Sequence, residues 1–109
     1  MRRLILAFVA TLGLLQSASI AIAGASGDAT AGLNYAKLYC SSCHAVVAGE
    51  QSPLAEAPPF YDVAKQPGMT ATALQVWLQS SHPTMPNIVV APGDMRNVIA
   101  YILSLKADM

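Results

Sequence analysis

The two cysteines of this 109-residue chain lie in one short string, Cys40-Ser41-Ser42-Cys43-His44. In a helical conformation, residues three positions apart lie on one face, about one turn apart, so both sulfurs can reach one edge of a flat ligand. The spacing C-x-x-C-H is the attachment signature of c-type haem, whose two vinyl groups form thioethers with such thiols. The imidazole of His44 is then the proximal iron ligand. The string therefore predicts one covalently attached haem c.

Three other kinds of site use a C-x-x-C pair: a redox dithiol of the thioredoxin type, half of a zinc site, and a structural disulfide. A zinc site needs two further ligands, and the chain has only one histidine outside the motif, His82. A thioredoxin-type motif opens a helix after an apolar strand, whereas residues 34–39, which precede Cys40, have a helical pattern. These comparisons favour haem attachment.

The first residues have the pattern of a secretory signal peptide. Arg2-Arg3 is a basic start, residues 4–15 are an apolar run with only Thr11 as a polar side chain, and Ala21-Ile22-Ala23 is a small-x-small cleavage pattern. The alternative is an uncleaved membrane anchor, but the apolar run is shorter than the ~20 residues that a spanning helix needs. We therefore expect a signal peptide over 1–23, with cleavage near 23–25, and a mature domain over 26–109.

The mature chain of about 85 residues forms one small domain, and a core of that size usually needs a covalent or cofactor-based support. A covalently held haem is such a support, because side chains can pack around its apolar plate. Without the two leader arginines the polypeptide has two more acidic than basic residues, which gives no basic surface for nucleic acid. The remaining charged residues are Lys37, Lys65, Arg96 and Lys106 against Asp28, Glu50, Glu56, Asp62, Asp94 and Asp108.

Helical signals cover most of the mature chain, and no continuous strand pattern is present, so the predicted class is all-α. A first helix starts with Asp28 or Thr30 as its N-cap and continues to about Ser42. Gly32 lies inside it, where glycine costs about 1 kcal/mol relative to alanine, which indicates that another helix passes close by.

Three further helical segments are predicted after a loop over residues 45–59. Residues 60–65 form one short turn, residues 71–80 form a helix capped by Thr70, and the last helix runs from Pro92 to about Lys106. Two apolar stripes have the helical spacing: Leu74, Trp77 and Leu78 in the third helix, and Met95, Val98, Ile99, Ile102 and Leu105 in the last.

The methionines and His82 are the side chains that could bind the iron opposite His44. Met85 lies in His82-Pro83-Thr84-Met85-Pro86-Asn87, where the two prolines restrict the backbone to extended conformations and so fix the direction of the thioether. Core packing accounts for Met69 and Met95, and Met109 is at a terminus, where chains fray. Met85 is the favoured sixth ligand, and His82 or an open coordination site are the alternatives.

These features resemble the class I cytochromes c, the small soluble bacterial monohaem type. The residues that carry the resemblance are Gly32, Ala36, the string from Cys40 to His44, Ala57-Pro58-Pro59-Phe60, His82-Pro83-Thr84-Met85-Pro86, and Ile99-Ala100-Tyr101-Ile102-Leu103. The resemblance covers the whole mature domain, with the motifs in the family's order. It implies three to five helices around one haem, with the first and last helices crossing where Gly32 meets Tyr101.

The resemblance also implies roles for two residues outside the ligand set. The free imidazole N–H of His44 would donate to a proline carbonyl, for which Pro58 is the first candidate and Pro59 the second. Trp77 would pack against the haem edge or hydrogen-bond a propionate. Ordinary packing in the core is the alternative for Trp77.

The function implied is that of a periplasmic electron carrier, in which His44 and Met85 bind the iron in both oxidation states. Its partners would be redox proteins, with no nucleic acid and no stable membrane insertion after cleavage of the signal, and the chain would not be an enzyme. One alternative is a cytochrome subunit of a larger periplasmic dehydrogenase or oxidase. Another is a sensor or enzyme that binds a small molecule at an open iron.

Overall fold

The computed structural model describes residues 27–108, so the predicted signal peptide and its cleavage site lie outside the described residues. The described part of the chain is all-α, which confirms the predicted class, and no strand element is present within it. No helix in residues 27–108 is long and apolar enough to cross a membrane. The elements are α1 (Ala29–Tyr39), α2 (Phe60–Lys65), α3 (Ala71–Gln79) and α4 (Pro92–Ser104), followed by a 3₁₀ helix (Leu105–Asp108).

The start of α1 is capped by Asp28 and fastened to α4. One carboxylate oxygen of Asp28 accepts hydrogen bonds from the backbone N–H groups of Thr30 and Ala31, at 2.8 and 3.1 Å, which satisfies two donors of the first turn. The backbone N–H of Asp28 in turn donates to the side-chain oxygen of Asn97 in α4, at 2.8 Å. The N-cap is therefore Asp28, the first of the two predicted candidates.

The end of α1 differs from the prediction, because the helix stops at Tyr39 and not near Ser42. The carbonyl of Ala36 accepts from the N–H groups of both Cys40 and Ser41, at 2.8 and 3.1 Å. The hydroxyl of Ser41 donates to the carbonyl of Lys37, at 2.6 Å, the oxygen that a regular helix would offer to the N–H of Ser41. The side chain of Ser41 thus competes with the backbone and ends the helix.

α1 and α4 cross at glycine, with their backbones in direct contact. A Cβ atom built on Gly32 would lie 1.9 Å from the carbonyl oxygen of Asn97 and 2.8 Å from Cβ of Tyr101. A Cβ on Gly27 would lie 2.1 Å from the carbonyl oxygen of Arg96. Only glycine permits such an approach. The predicted crossing, with Gly32 beneath Tyr101, is confirmed.

The buried face of α4 forms the centre of the core. All five residues of the predicted stripe in the last helix are buried, and Tyr101 joins them. The predicted apolar stripe of α3 is only partly buried: Leu74 is 3% exposed and Leu78 is half-buried, but Trp77 is 55% exposed. The side chains that meet the α4 face from elsewhere in the chain are Ala36, Val46, Phe60, Ala64 and Leu74.

The boundaries of the other helices follow local signals. α2 spans the predicted residues, and Thr70 caps α3 through a bond from the N–H of Ala73, at 3.1 Å. α3 ends one residue before the prediction, because Ser80 is extended, with φ −107° and ψ 147°. α4 begins at Pro92, as predicted, and its last turn tightens into the 3₁₀ helix from Leu105.

We predict that Gly32→Ala destabilises the folded haem protein by about 3 kcal/mol, since the new methyl group would meet backbone atoms that cannot move independently. Guanidinium unfolding monitored by circular dichroism measures this loss. Gly93→Ala is the matched control: it adds the same methyl group in α4, where the nearest atom is a side-chain nitrogen of Arg96 at 3.8 Å. Equal stabilities for the two variants would contradict the proposed role of the close contact.

Candidate haem site

An apolar cavity of about 490 Å³ opens between the C-x-x-C-H turn, α2, α3 and the loop before α4. Its volume falls in the range of cofactor pockets, and its walls are predominantly hydrophobic. Apolar lining residues from the helices include Phe60, Val63, Leu74, Leu78, Val98 and Ile102. The site residues predicted from the sequence, Cys40, Cys43, His44, Pro58, Trp77 and Met85, all line this cavity.

The motif itself forms one hydrogen-bonded turn after α1. The carbonyl of Cys40 accepts from the N–H groups of Cys43 and His44, at 3.2 and 2.9 Å. Both cysteines are free, half-buried thiols on the cavity wall. Burial raises the pKa of the Cys40 thiol above its ordinary value, so this thiol stays protonated to higher pH than an exposed one. The two cysteines are thus one turn apart along the backbone, although α1 has already ended.

His44 is oriented by two contacts of its ring, a hydrogen bond and an aromatic packing contact. Its Nδ1 lies 2.7 Å from the carbonyl oxygen of Pro58, a hydrogen bond in which the nitrogen donates. The other nitrogen, Nε2, then carries the lone pair that an iron atom requires. The ring also packs against Phe60, with centroids 5.3 Å apart and planes tilted by 51°. This arrangement leaves one nitrogen of a fixed imidazole free to bind a metal ion.

The backbone after His44 is held by three hydrogen bonds to other parts of the chain. The N–H of Ala45 donates to the hydroxyl of Ser52, at 3.0 Å, and the carbonyl of Ala45 accepts from the N–H of Phe60 in α2, at 2.9 Å. The hydroxyl of Tyr101 in α4 donates to the carbonyl of the buried Val46. Sequence reasoning identified Tyr101 only as the aromatic above Gly32. Its hydrogen bond spans 55 positions of the chain, and no local pattern reports it.

Met85 lines the cavity from the loop between α3 and α4. It is half-buried, and its backbone pairs with that of His82 in an isolated antiparallel bridge. Met69 lines the same cavity, although it also packs against the core, the role that the sequence predicts for it. The structure therefore brings a second thioether to the cavity wall, and Met85 is the one outside the core cluster of the described residues.

His82 does not line this cavity; it contacts Trp77, which does. Its ring stacks on the Trp77 ring with centroids 4.1 Å apart and planes tilted by 32°. Its Nδ1 is 2.9 Å from the carbonyl oxygen of Ser80, and its buried Nε2 has no hydrogen-bond partner. A second cavity, of about 440 Å³, lies on the His82 side of the loop and shares Met85 with the first.

The residues present fit a haem c. Two thiols one turn apart match the vinyl groups of one porphyrin edge, and the fixed imidazole of His44 is a suitable axial ligand. The hydrophobic walls suit a large apolar plate, and a thioether lines the same cavity from a separate element. Among residues 27–108, no group of three or more His, Cys, Asp and Glu side chains is arranged to hold a metal ion.

The chain is similar to a curated protein of known type, the cytochrome c-552 of Bradyrhizobium diazoefficiens. The two sequences are 35% identical over 95 residues, which make up 87% of this chain and 88% of the relative. No protein-family model matches the chain. No solved structure matches it significantly.

We predict that Tyr101→Phe lowers the free energy of unfolding of the haem protein by about 1–2 kcal/mol, because the buried carbonyl of Val46 loses its donor. Thermal and guanidinium unfolding measure the change. Tyr39→Phe is the control, since Tyr39 is exposed and its ring contact with Tyr35 does not need the hydroxyl. The same small effect in both variants would show that the Tyr101 hydroxyl does not stabilise the segment after His44.

Proposed function

Because the chain belongs to the class I c-type cytochromes and is therefore an electron-transfer haem protein, we propose that it is a periplasmic carrier of single electrons between redox proteins. The observation that supports this most strongly is the apolar cavity whose walls include both the C-x-x-C-H turn and the Met85 thioether. When bound, haem c supplies an iron atom that alternates between the ferric and ferrous states.

Cys40 and Cys43 would hold haem c in thioether links, and His44 is the proposed ligand of its iron on the side of this turn. Its Nε2 would bind the iron while Nδ1 donates to the Pro58 carbonyl, 2.7 Å away. That hydrogen bond fixes the tautomer and the ring direction, so that Nε2 would be the nitrogen available to the metal. Pro58 acts only through its backbone oxygen in this proposal.

Met85 is the proposed second axial ligand. It lines the cavity from the loop between α3 and α4, whereas His44 lies in the turn after α1. Its side chain is not part of the core cluster of the described residues. Met69 also lines the cavity but packs against that cluster, so its thioether already has a structural role. Two strong ligands leave no open position on the iron, and a methionine ligand raises the reduction potential.

Trp77 is proposed to contact the haem edge. Its side chain is 55% exposed and lines the cavity, so the polypeptide alone does not cover it. A flat apolar cofactor in the cavity would cover this surface.

Two further parts of the proposal concern location and activity. The signal-peptide pattern of residues 1–23 supports export to the periplasm. The similarity to a cytochrome c suggests an electron carrier, not an enzyme, and we propose that the chain has no catalytic activity of its own. Electron transfer by a closed haem site needs no acid, base or substrate pocket from the protein.

Covalent attachment and export can be tested in one measurement, the intact mass of the denatured protein purified from the periplasm of an expressing bacterium. We expect the mass of a chain that begins near residues 24–26 plus one haem. The double variant Cys40→Ala, Cys43→Ala should lose all haem on denaturation, whereas the control Ser41→Ala, Ser42→Ala should retain it. A haem-free wild-type chain with an internal disulfide would instead indicate a thiol–disulfide protein.

Ligation by Met85 can be tested by visible spectroscopy. The ferric wild-type protein should have the weak far-red band of methionine–iron ligation, and Met85→Leu should abolish it, because leucine has a similar volume but no sulfur atom. The ferrous Met85→Leu variant should also bind carbon monoxide rapidly, and its reduction potential should fall.

Met69→Leu is the matched control, since Met69 lines the same cavity. It should keep the far-red band and the potential of the wild-type protein. A band that persists in Met85→Leu and disappears in Met69→Leu would identify Met69 as the ligand. Rapid carbon monoxide binding by the wild-type protein at neutral pH would contradict a closed iron site.

A further inference from the structure

The loop that carries Met85 is bonded mainly to itself. The side-chain amide of Asn87 donates to the hydroxyl of Ser81, at 3.1 Å, and the backbones of His82 and Met85 pair in the antiparallel bridge. The described hydrogen bonds of residues 81–90 all lie within residues 80–87. Side-chain packing must therefore hold this loop against the helices, and Val90 supplies part of it at the core.

His82 links the loop to α3. Its ring stacks on Trp77, a residue of α3, with centroids 4.1 Å apart. The hydrogen bond from its Nδ1 to the carbonyl of Ser80, at 2.9 Å, fixes the ring in that position. Through its backbone, the same residue pairs with Met85. A continuous path of contacts thus runs from Trp77 through His82 to Met85.

We infer that His82 is a positioning residue for Met85: its tethered ring, stacked on Trp77, holds the loop so that the Met85 thioether stays at the cavity wall, where it would bind the iron. This inference rests on the proposed ligation by Met85. The contacts restrict the ring on one face and at one nitrogen, so the backbone that pairs with Met85 cannot move away from α3 without breaking them.

The hydrogen-bond environment of the imidazole agrees with such a role. When Nδ1 donates to a carbonyl, Nε2 of a neutral ring is an acceptor, and here this buried atom has no hydrogen-bond partner. The ring therefore acts as a flat packing surface with one directed donor. A phenyl group at this position would keep the surface and lose the donor, so the two contributions can be separated by substitution.

The test uses the haem-loaded protein and free imidazole, which competes with Met85 for the ferric iron and removes the far-red band. His82→Ala should raise the affinity for imidazole about tenfold, because it removes the stacking contact and the hydrogen bond together. His82→Phe should raise it less, since it retains the ring. Val89→Ala, in the same loop but 96% exposed, should stay within about twofold of the wild type, as expected for a surface side chain.

Unchanged imidazole affinity in a folded His82→Ala protein would overturn the inference, and equal affinities in the alanine and phenylalanine variants would overturn the role of the stack. Far-ultraviolet circular dichroism identifies variants that fold. If His82→Ala does not fold, His82→Phe compared with Val89→Ala decides, and only a rise in affinity supports the inference. A wild-type protein without the far-red band would instead contradict ligation by Met85 itself.

Discussion

The contact between α1 and α4 at Gly32 determines where the parts of the site lie. α1 leads directly into the turn that begins at Cys40, so the position of that helix sets the position of both thiols. α4 carries Tyr101, whose hydroxyl holds the carbonyl of Val46 two residues after His44. Because the backbones meet without a Cβ between them, this one contact fixes α1, which leads to the thiols, against α4, which carries Tyr101.

The polypeptide core and the cavity share residues of α4. Ala36, Phe60, Ala64 and Leu74 pack against the buried face of α4, but Val98 and Ile102 of that face also line the cavity, where Trp77 remains more than half exposed. A domain of this length buries too little apolar surface to tolerate such an opening easily. A covalently attached haem in the cavity would cover these apolar walls, so the cofactor would also contribute to the stability of the fold.

Local signals in the sequence predicted most of the fold, and the failures have physical causes. The cap at Asp28, the break after Lys65 and the start of α4 at Pro92 each depend on a few neighbouring residues. The predicted end of α1, near Ser42, was wrong because the hydroxyl of Ser41 takes the place of a backbone N–H at the carbonyl of Lys37. The sequence predicted core packing for Met69 and not its place in the cavity wall. A wall that faces a cofactor is as apolar as a core face, so the sequence pattern alone does not distinguish the two.

His44 and Met85, the two proposed iron ligands, lie in segments that are held by different kinds of contact. The segment after His44 is held by a hydrogen bond to Ser52 and by two bonds to helices, one from the N–H of Phe60 in α2 and one from the hydroxyl of Tyr101 in α4. The loop of Met85 has hydrogen bonds mainly within itself and depends on side-chain packing. Local opening is easiest where backbone bonding to the core is sparse. We therefore expect the Met85 thioether to leave the cavity wall more readily than the His44 imidazole, so the loop before α4 would determine how closed a haem site held by these residues is.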